Sequence, residues 1–215
     1  MLRNFDLERL LLTLPAVCWA ISFHEFCHGY AAKMVGDPTA ERQGRLSLNP
    51  LAHFDLVGTL LLLFVGFGWA KPVPINTRYF KKPQRDIVLV SLAGIAGNVL
   101  TAMACVLFLR FFGAAWISMT GRVGLMLLWQ FVVINMALAT FNLIPIPPLD
   151  GSKILYAFIP FRFVRHYYWL ERYGMIVLIV LLYTGVIDVF FRPISRLLWS
   201  FLPLGNLSFV RHFIQ

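Results

Sequence analysis

Charge is what this chain has least of. Of its 215 residues only 13% are charged, 19 basic and 10 acidic, while 59% are hydrophobic; soluble proteins carry roughly 25% charged residues. A water-soluble core of this size could not hide so much apolar surface, so the composition excludes an ordinary soluble domain and implies a polytopic membrane protein. Cysteine is nearly missing as well. Cys18, Cys27 and Cys105 are odd in number and all lie in apolar runs, which argues against a disulfide framework and for buried thiols. The net charge of +9 does not point to nucleic acid, because the basic residues are not grouped with stacking aromatics on a polar face. They sit between apolar runs, where topology and anionic lipid account for them. The N-terminal apolar stretch has no obvious small-residue cleavage site, so it is expected to stay in place and not to be a removable signal.

Crossing about 30 Å of hydrocarbon takes about 20 residues. Four apolar runs qualify: 7–35, 87–112, 123–146 and 173–191. A fifth run, 56–69, is interrupted by Gly58, Gly66 and Gly68 and ends in Lys71-Pro72-Val73-Pro74, which cannot continue a helix. It is expected to be re-entrant. The piece 190–210 carries Arg192, Pro193 and Arg196 and is expected to lie at an interface. Gly36-Asp37-Pro38 stops the first helix, and the alternation Arg45-Leu46-Ser47-Leu48-Asn49 predicts a small strand or hairpin beside it. The expected fold is therefore an all-α integral membrane bundle of four to six membrane segments with a small β-hairpin. It forms a single domain over 1–215, with its core at about 7–155 and C-terminal helices at about 170–215.

If the short run does not cross, the connections 33–51, 71–86 and 147–172 share one side and hold 12 of the 19 basic residues. The positive-inside rule places them in the cytoplasm. This predicts a multi-pass protein of the cytoplasmic membrane, with its N-terminus outside and its chemistry nearer the cytoplasmic face.

That chemistry is announced by His24-Glu25-Phe26-Cys27-His28, an H-E-x-x-H sequence set in the first apolar helix. Histidines at i and i+4 lie one above the other and can grip one metal ion, while the intervening Glu25 can take a proton from water without being a ligand. Catalytic zinc takes three protein ligands, so a third is needed. Asp150 is the best candidate, in Asn142-Leu143-Ile144-Pro145-Ile146-Pro147-Pro148-Leu149-Asp150-Gly151. Its prolines and glycine dismantle a helix end, and an acid at membrane depth is functional by default. On the residues alone, Asp150 serves equally well as the N-cap of a helix starting near Ser152.

The H-E-x-x-H on an early apolar helix, followed by N-x-x-P-x-x-x-L-D-G at the end of a later one, resembles the site-2 protease family. These are zinc metalloproteases that cut substrates within the membrane. The stretches Gly36–Ala40, Gly44–Pro50 and Phe67–Pro74 resemble a compact bacterial branch of it, and no connection is long enough for the PDZ domain of larger members. The resemblance covers about residues 20–155. It implies one Zn2+ held by His24, His28 and Asp150, Glu25 as general base, and transmembrane protein substrates. It also implies that Asn142 holds substrate backbone or the developing oxyanion. The family's Ala-Gly-Pro-x-x-Asn appears here as Ala93-Gly94-Ile95-Ala96-Gly97-Asn98; Asn98 is kept as a candidate substrate contact or as helix packing with Gly94 and Ala102.

Blander readings stand beside these. His53, near Asp55, is either a second metal or gating group or a structural hydrogen bond, the latter preferred. Cys27, three residues after His24, is read as packing. From another class, a membrane metal or ion transporter would also use intramembrane His and Asp residues. Glu25 discriminates, because a transporter needs no carboxylate placed to deprotonate water.

Overall fold

The structure, a computed structural model, describes residues 7–55, 58 and 68–203. Helix α1 spans Leu7–Met34 and passes directly into a tight turn. There the buried carboxylate of Asp37 accepts from the Thr39 amide at 2.9 Å, from the Thr39 hydroxyl and from the Asn76 amide at 2.6 Å. This ties the end of α1 to a segment 39 residues away. The short α2, Thr39–Arg42, follows.

Helix α3, Pro83–Asn142, runs for 60 residues. Straight, it would be about 90 Å long, three times the hydrocarbon thickness. It is not straight, because Gly121 takes φ 64 and ψ −155, a conformation that only glycine adopts cheaply. The break folds α3 into a hairpin. Ile95, Ala102, Val106 and Leu109 of the first arm pack against Leu125, Val132, Met136 and Ala139 of the second. The Asn98 amide meets the Asn135 carbonyl oxygen across the arms at 2.9 Å.

After α3 come tight turns at 143–149, the seven-residue α4 (Asp150–Tyr156) and α5 (Val164–Thr184). The last helix, α6 (Asp188–Ser200), leaves α5 at 85° and lays Ile194 and Leu198 on the α3 hairpin, joined there by Leu202 just past its end. Leu10–Met34 and Pro83–Asn142 are long and apolar enough to cross a membrane, as is the bent α5–α6 pair taken as one span.

The bundle is helical as expected, but the β-hairpin is not there. Among the described residues there is no strand, and 45–49 is irregular. A ladder needs donors on the facing chain, and the segment beside 45–49 carries Pro72 and Pro74, which have none. Local side chains serve the backbone instead. Ser47 Oγ accepts from the Asn49 amide at 3.1 Å, Asn49 Oδ1 from the Leu51 amide at 3.0 Å, and His53 Nε2 donates to the Ser47 carbonyl at 2.8 Å. The predicted re-entrant run 56–69 lies almost wholly outside the described residues.

Candidate metal centre

Helix α1 places His24 and His28 on the face that packs on the first arm of α3, and the 143–149 turns bring Asp150 to the same point. Asp150 Oδ2 lies 3.1 Å from His24 Nε2 and 2.9 Å from His28 Nε2, and the two Nε2 atoms are 2.9 Å apart. All three residues are buried. Asp150 reaches this point because Gly151 rides against the backbone of Leu143 and Ile144. A Cβ on Gly151 would sit 2.3 Å from the Leu143 oxygen.

The proton positions follow from the partners. His28 Nδ1 is 2.7 Å from the Val90 carbonyl oxygen, which can only accept, so Nδ1 carries the hydrogen. Asn98 Nδ2 donates to the carbonyl of Ala20 at 3.0 Å and to Asn135 Oδ1, so Asn98 Oδ1 is the atom facing His24 Nδ1 at 2.7 Å and His24 must donate to it. With both rings neutral, as a metal ligand must be, they turn lone pairs, not hydrogens, toward Asp150 Oδ2. Three lone pairs then converge in a buried pocket, an arrangement that repels itself unless a cation sits among them. For bonds of about 2.0–2.1 Å, tetrahedral ligands stand roughly 3.3–3.4 Å apart. The observed triangle is within a few tenths of an ångström of that, and its donor set of two imidazoles and one carboxylate suits zinc.

The surrounding groups orient the three. Asn98 and the Val90 carbonyl fix the two ring tautomers, and Lys153 Nζ binds the other Asp150 oxygen, Oδ1, at 2.8 Å, leaving Oδ2 for the metal. Gly94 leaves the room the imidazoles occupy, since a Cβ there would lie 2.5 Å from His28 Nε2 and 2.8 Å from His24 Cε1. Asn98→Ala removes the acceptor behind His24 and is expected to weaken zinc affinity about 10- to 100-fold. Competitive titration with a chelator reads this directly.

Glu25 stands beside the triangle, not within it. Its Oε2 accepts from the Val73 amide at 2.7 Å, so the loop 68–76 holds the carboxylate from outside α1. Asn142 donates to the Leu138 carbonyl one turn back at 3.1 Å. Asn98 is fully buried behind His24, not on an open face. His53 is buried and bonded to Ser47; it does not belong to the ligand group His24, His28 and Asp150, the one such cluster among the described residues. Cys27 turns to Gly97, whose Cβ position lies 2.6 Å from its sulfur, and serves packing. Asn135 and Lys153 escaped the sequence reading. An asparagine in an apolar run and a lysine one helical turn from a candidate ligand were the signals available.

A family profile described as Peptidase family M50 matches residues 114–183, a stretch that contains Asp150. A relative from Bacillus subtilis (strain 168) with the provisional name zinc metalloprotease YwhC is 39% identical over 200 residues, 90% of this chain and 87% of the relative. Two others carry the same provisional designation. Rip2 from Mycolicibacterium smegmatis is 27% identical over 84% of this chain and 70% of its own. MJ0611 from Methanocaldococcus jannaschii is 30% identical over 71% and 73%. No solved structure matches the chain.

Proposed function

The chain belongs to peptidase family M50, the site-2 proteases, and from that premise we propose how its residues share the work. It is an intramembrane zinc metalloprotease acting on membrane protein substrates within the bilayer. In this reading His24, His28 and Asp150 hold the zinc and Glu25 is the general base. The observation that carries it is the convergence of three buried lone pairs, 2.9 to 3.1 Å apart, with both histidine hydrogens committed elsewhere.

Zinc, when bound, supplies a Lewis acid that activates water and polarises the scissile carbonyl. Glu25 takes the proton of the attacking water and passes it to the departing nitrogen. The Val73 amide holds one carboxylate oxygen at 2.7 Å, which leaves the other to take the proton. Asn142 spends one N–H on Leu138 and has a second to offer the substrate oxyanion. Asn98, Asn135 and Lys153 act on the ligands, not on the substrate.

In this reading α3, folded back at Gly121, crosses twice, and α1 and the bent α5–α6 pair bring the crossings to four. The whole chain then works as one domain in the cytoplasmic membrane, with the basic connections inside and the metal nearer that face. A metal transporter would not need Glu25 held by a peptide amide beside its transit site. The test is comparative proteomics of membranes from cells with wild-type protein and with Glu25→Gln. Single-pass proteins are expected to accumulate intact in the variant; identical membrane proteomes would sink the assignment.

A further inference from the structure

We propose that Arg45 is a positioning residue for Glu25, acting through the peptide group between Pro72 and Val73. This rests on the reading of Glu25 as the base. Arg45 Nη2 donates to the carbonyl of Lys71 at 2.9 Å and to that of Pro72 at 3.2 Å. The Pro72 carbonyl and the Val73 N–H belong to one planar unit. One end of that unit therefore faces a guanidinium, and the other donates to the Glu25 carboxylate at 2.7 Å. Hydrogen bonds joined head to tail in this way strengthen one another, and the unit cannot turn without breaking both.

The local sequence narrows the role further. Pro72 and Pro74 have no N–H, so Val73 offers the sole main-chain donor across 72–74, and the residue before Pro74 is held extended. Val73 is itself anchored, 5% exposed, with its Cγ1 and the Leu46 Cδ1 3.1 and 3.2 Å from the Cβ position of Gly29 on α1. Lys71 N donates to the His53 carbonyl at 2.9 Å, and His53 binds Ser47, so the loop is pinned on the far side as well. Arg45 Nε is buried and makes no hydrogen bond among the described residues. The bonds the guanidinium makes here go to the two loop carbonyls. The segment that forms no strand thus carries the clamp that aims the base.

The experiment compares wild type, R45A, R45K and E25Q as zinc-loaded full chains in detergent micelles. The substrate is a single-span reporter first shown to be cut by wild type. R45A is expected to lower kcat about 10- to 100-fold, with KM within about twofold and one zinc still bound per chain. R45K, with a single point donor in place of a fork, is expected to fall between. Hydrogen exchange gives a reading independent of turnover, since over 72–74 Val73 alone carries an exchangeable amide. That amide is expected to exchange at least about tenfold faster in R45A. Wild-type kcat in R45A, unchanged exchange at Val73, or a loss of activity explained by lost zinc each overturn the proposal. If R45A does not accumulate folded, R45M, which keeps the apolar stem without the donors, decides by the same readings. Cleavage by E25Q would instead remove the base on which the proposal rests, a failure distinct from an inert Arg45.

Discussion

Glu25→Gln is expected to reduce kcat by at least about 10³-fold while leaving one zinc per chain. General-base catalysis contributes roughly 10²–10⁴, and a neutral amide can neither take the proton nor return it. The substitution is close to isosteric, and the side-chain carbonyl of the introduced glutamine can still accept from the Val73 amide that now binds Glu25 at 2.7 Å. The three ligand atoms belong to other residues, so metal content should not follow activity. Reporter cleavage and zinc quantitation on the same preparation check both halves. Retained cleavage would remove Glu25 as base. Lost zinc would show that its carboxylate belongs to the metal's own ligand set.

Gly94→Ala is expected to cost at least about 10³-fold in zinc affinity although it adds only one methyl group. The new Cβ would stand 2.5 Å from His28 Nε2, 2.7 Å from His28 Cε1 and 2.8 Å from His24 Cε1, distances that tolerate no carbon. Neither ring can swing aside cheaply, because each is tied at Nδ1, one to Asn98 and one to the Val90 carbonyl. Relief therefore means losing those bonds or prising α1 from α3, and either removes two of three ligands from register. Gly97→Ala is the control. Its Cβ meets the Cys27 sulfur at 2.6 Å, the far end of a side chain that can turn, so the variant should keep its zinc. Chelator competition on both proteins decides, and equal affinities would mean that Gly94 gives the rings no needed space.

Much of this site could be read before any coordinates. H-E-x-x-H has a fixed helical geometry, while Asp150 stands equally as a ligand or a helix N-cap until the family resemblance favours the ligand. The long helices were legible too, because apolar length is a composition property. Their ends were less so. The first α3 arm continues past the expected stop at 112 through Gly113-Ala114-Ala115 and turns only at Gly121, since small residues signal weakly for either helix or turn. The alternation at 45–49 misleads for a different reason: pairing depends on the partner chain, and Pro72 and Pro74 opposite remove donors that a ladder needs. Asn98 was noticed, but its role was not, because the hydrogen bond to His24 Nδ1 joins residues 74 apart.

The wide separation of the metal-binding side chains also sets when the proposed centre can form. Asp150 follows His24 by 126 residues and His28 by 122, and the whole folded-back α3 lies between them. While the chain is being threaded into the bilayer, the first helix carries only two imidazoles and an idle carboxylate. On the proposed ligand set, the centre is complete only once the folded-back α3 and the turns at 143–149 have docked.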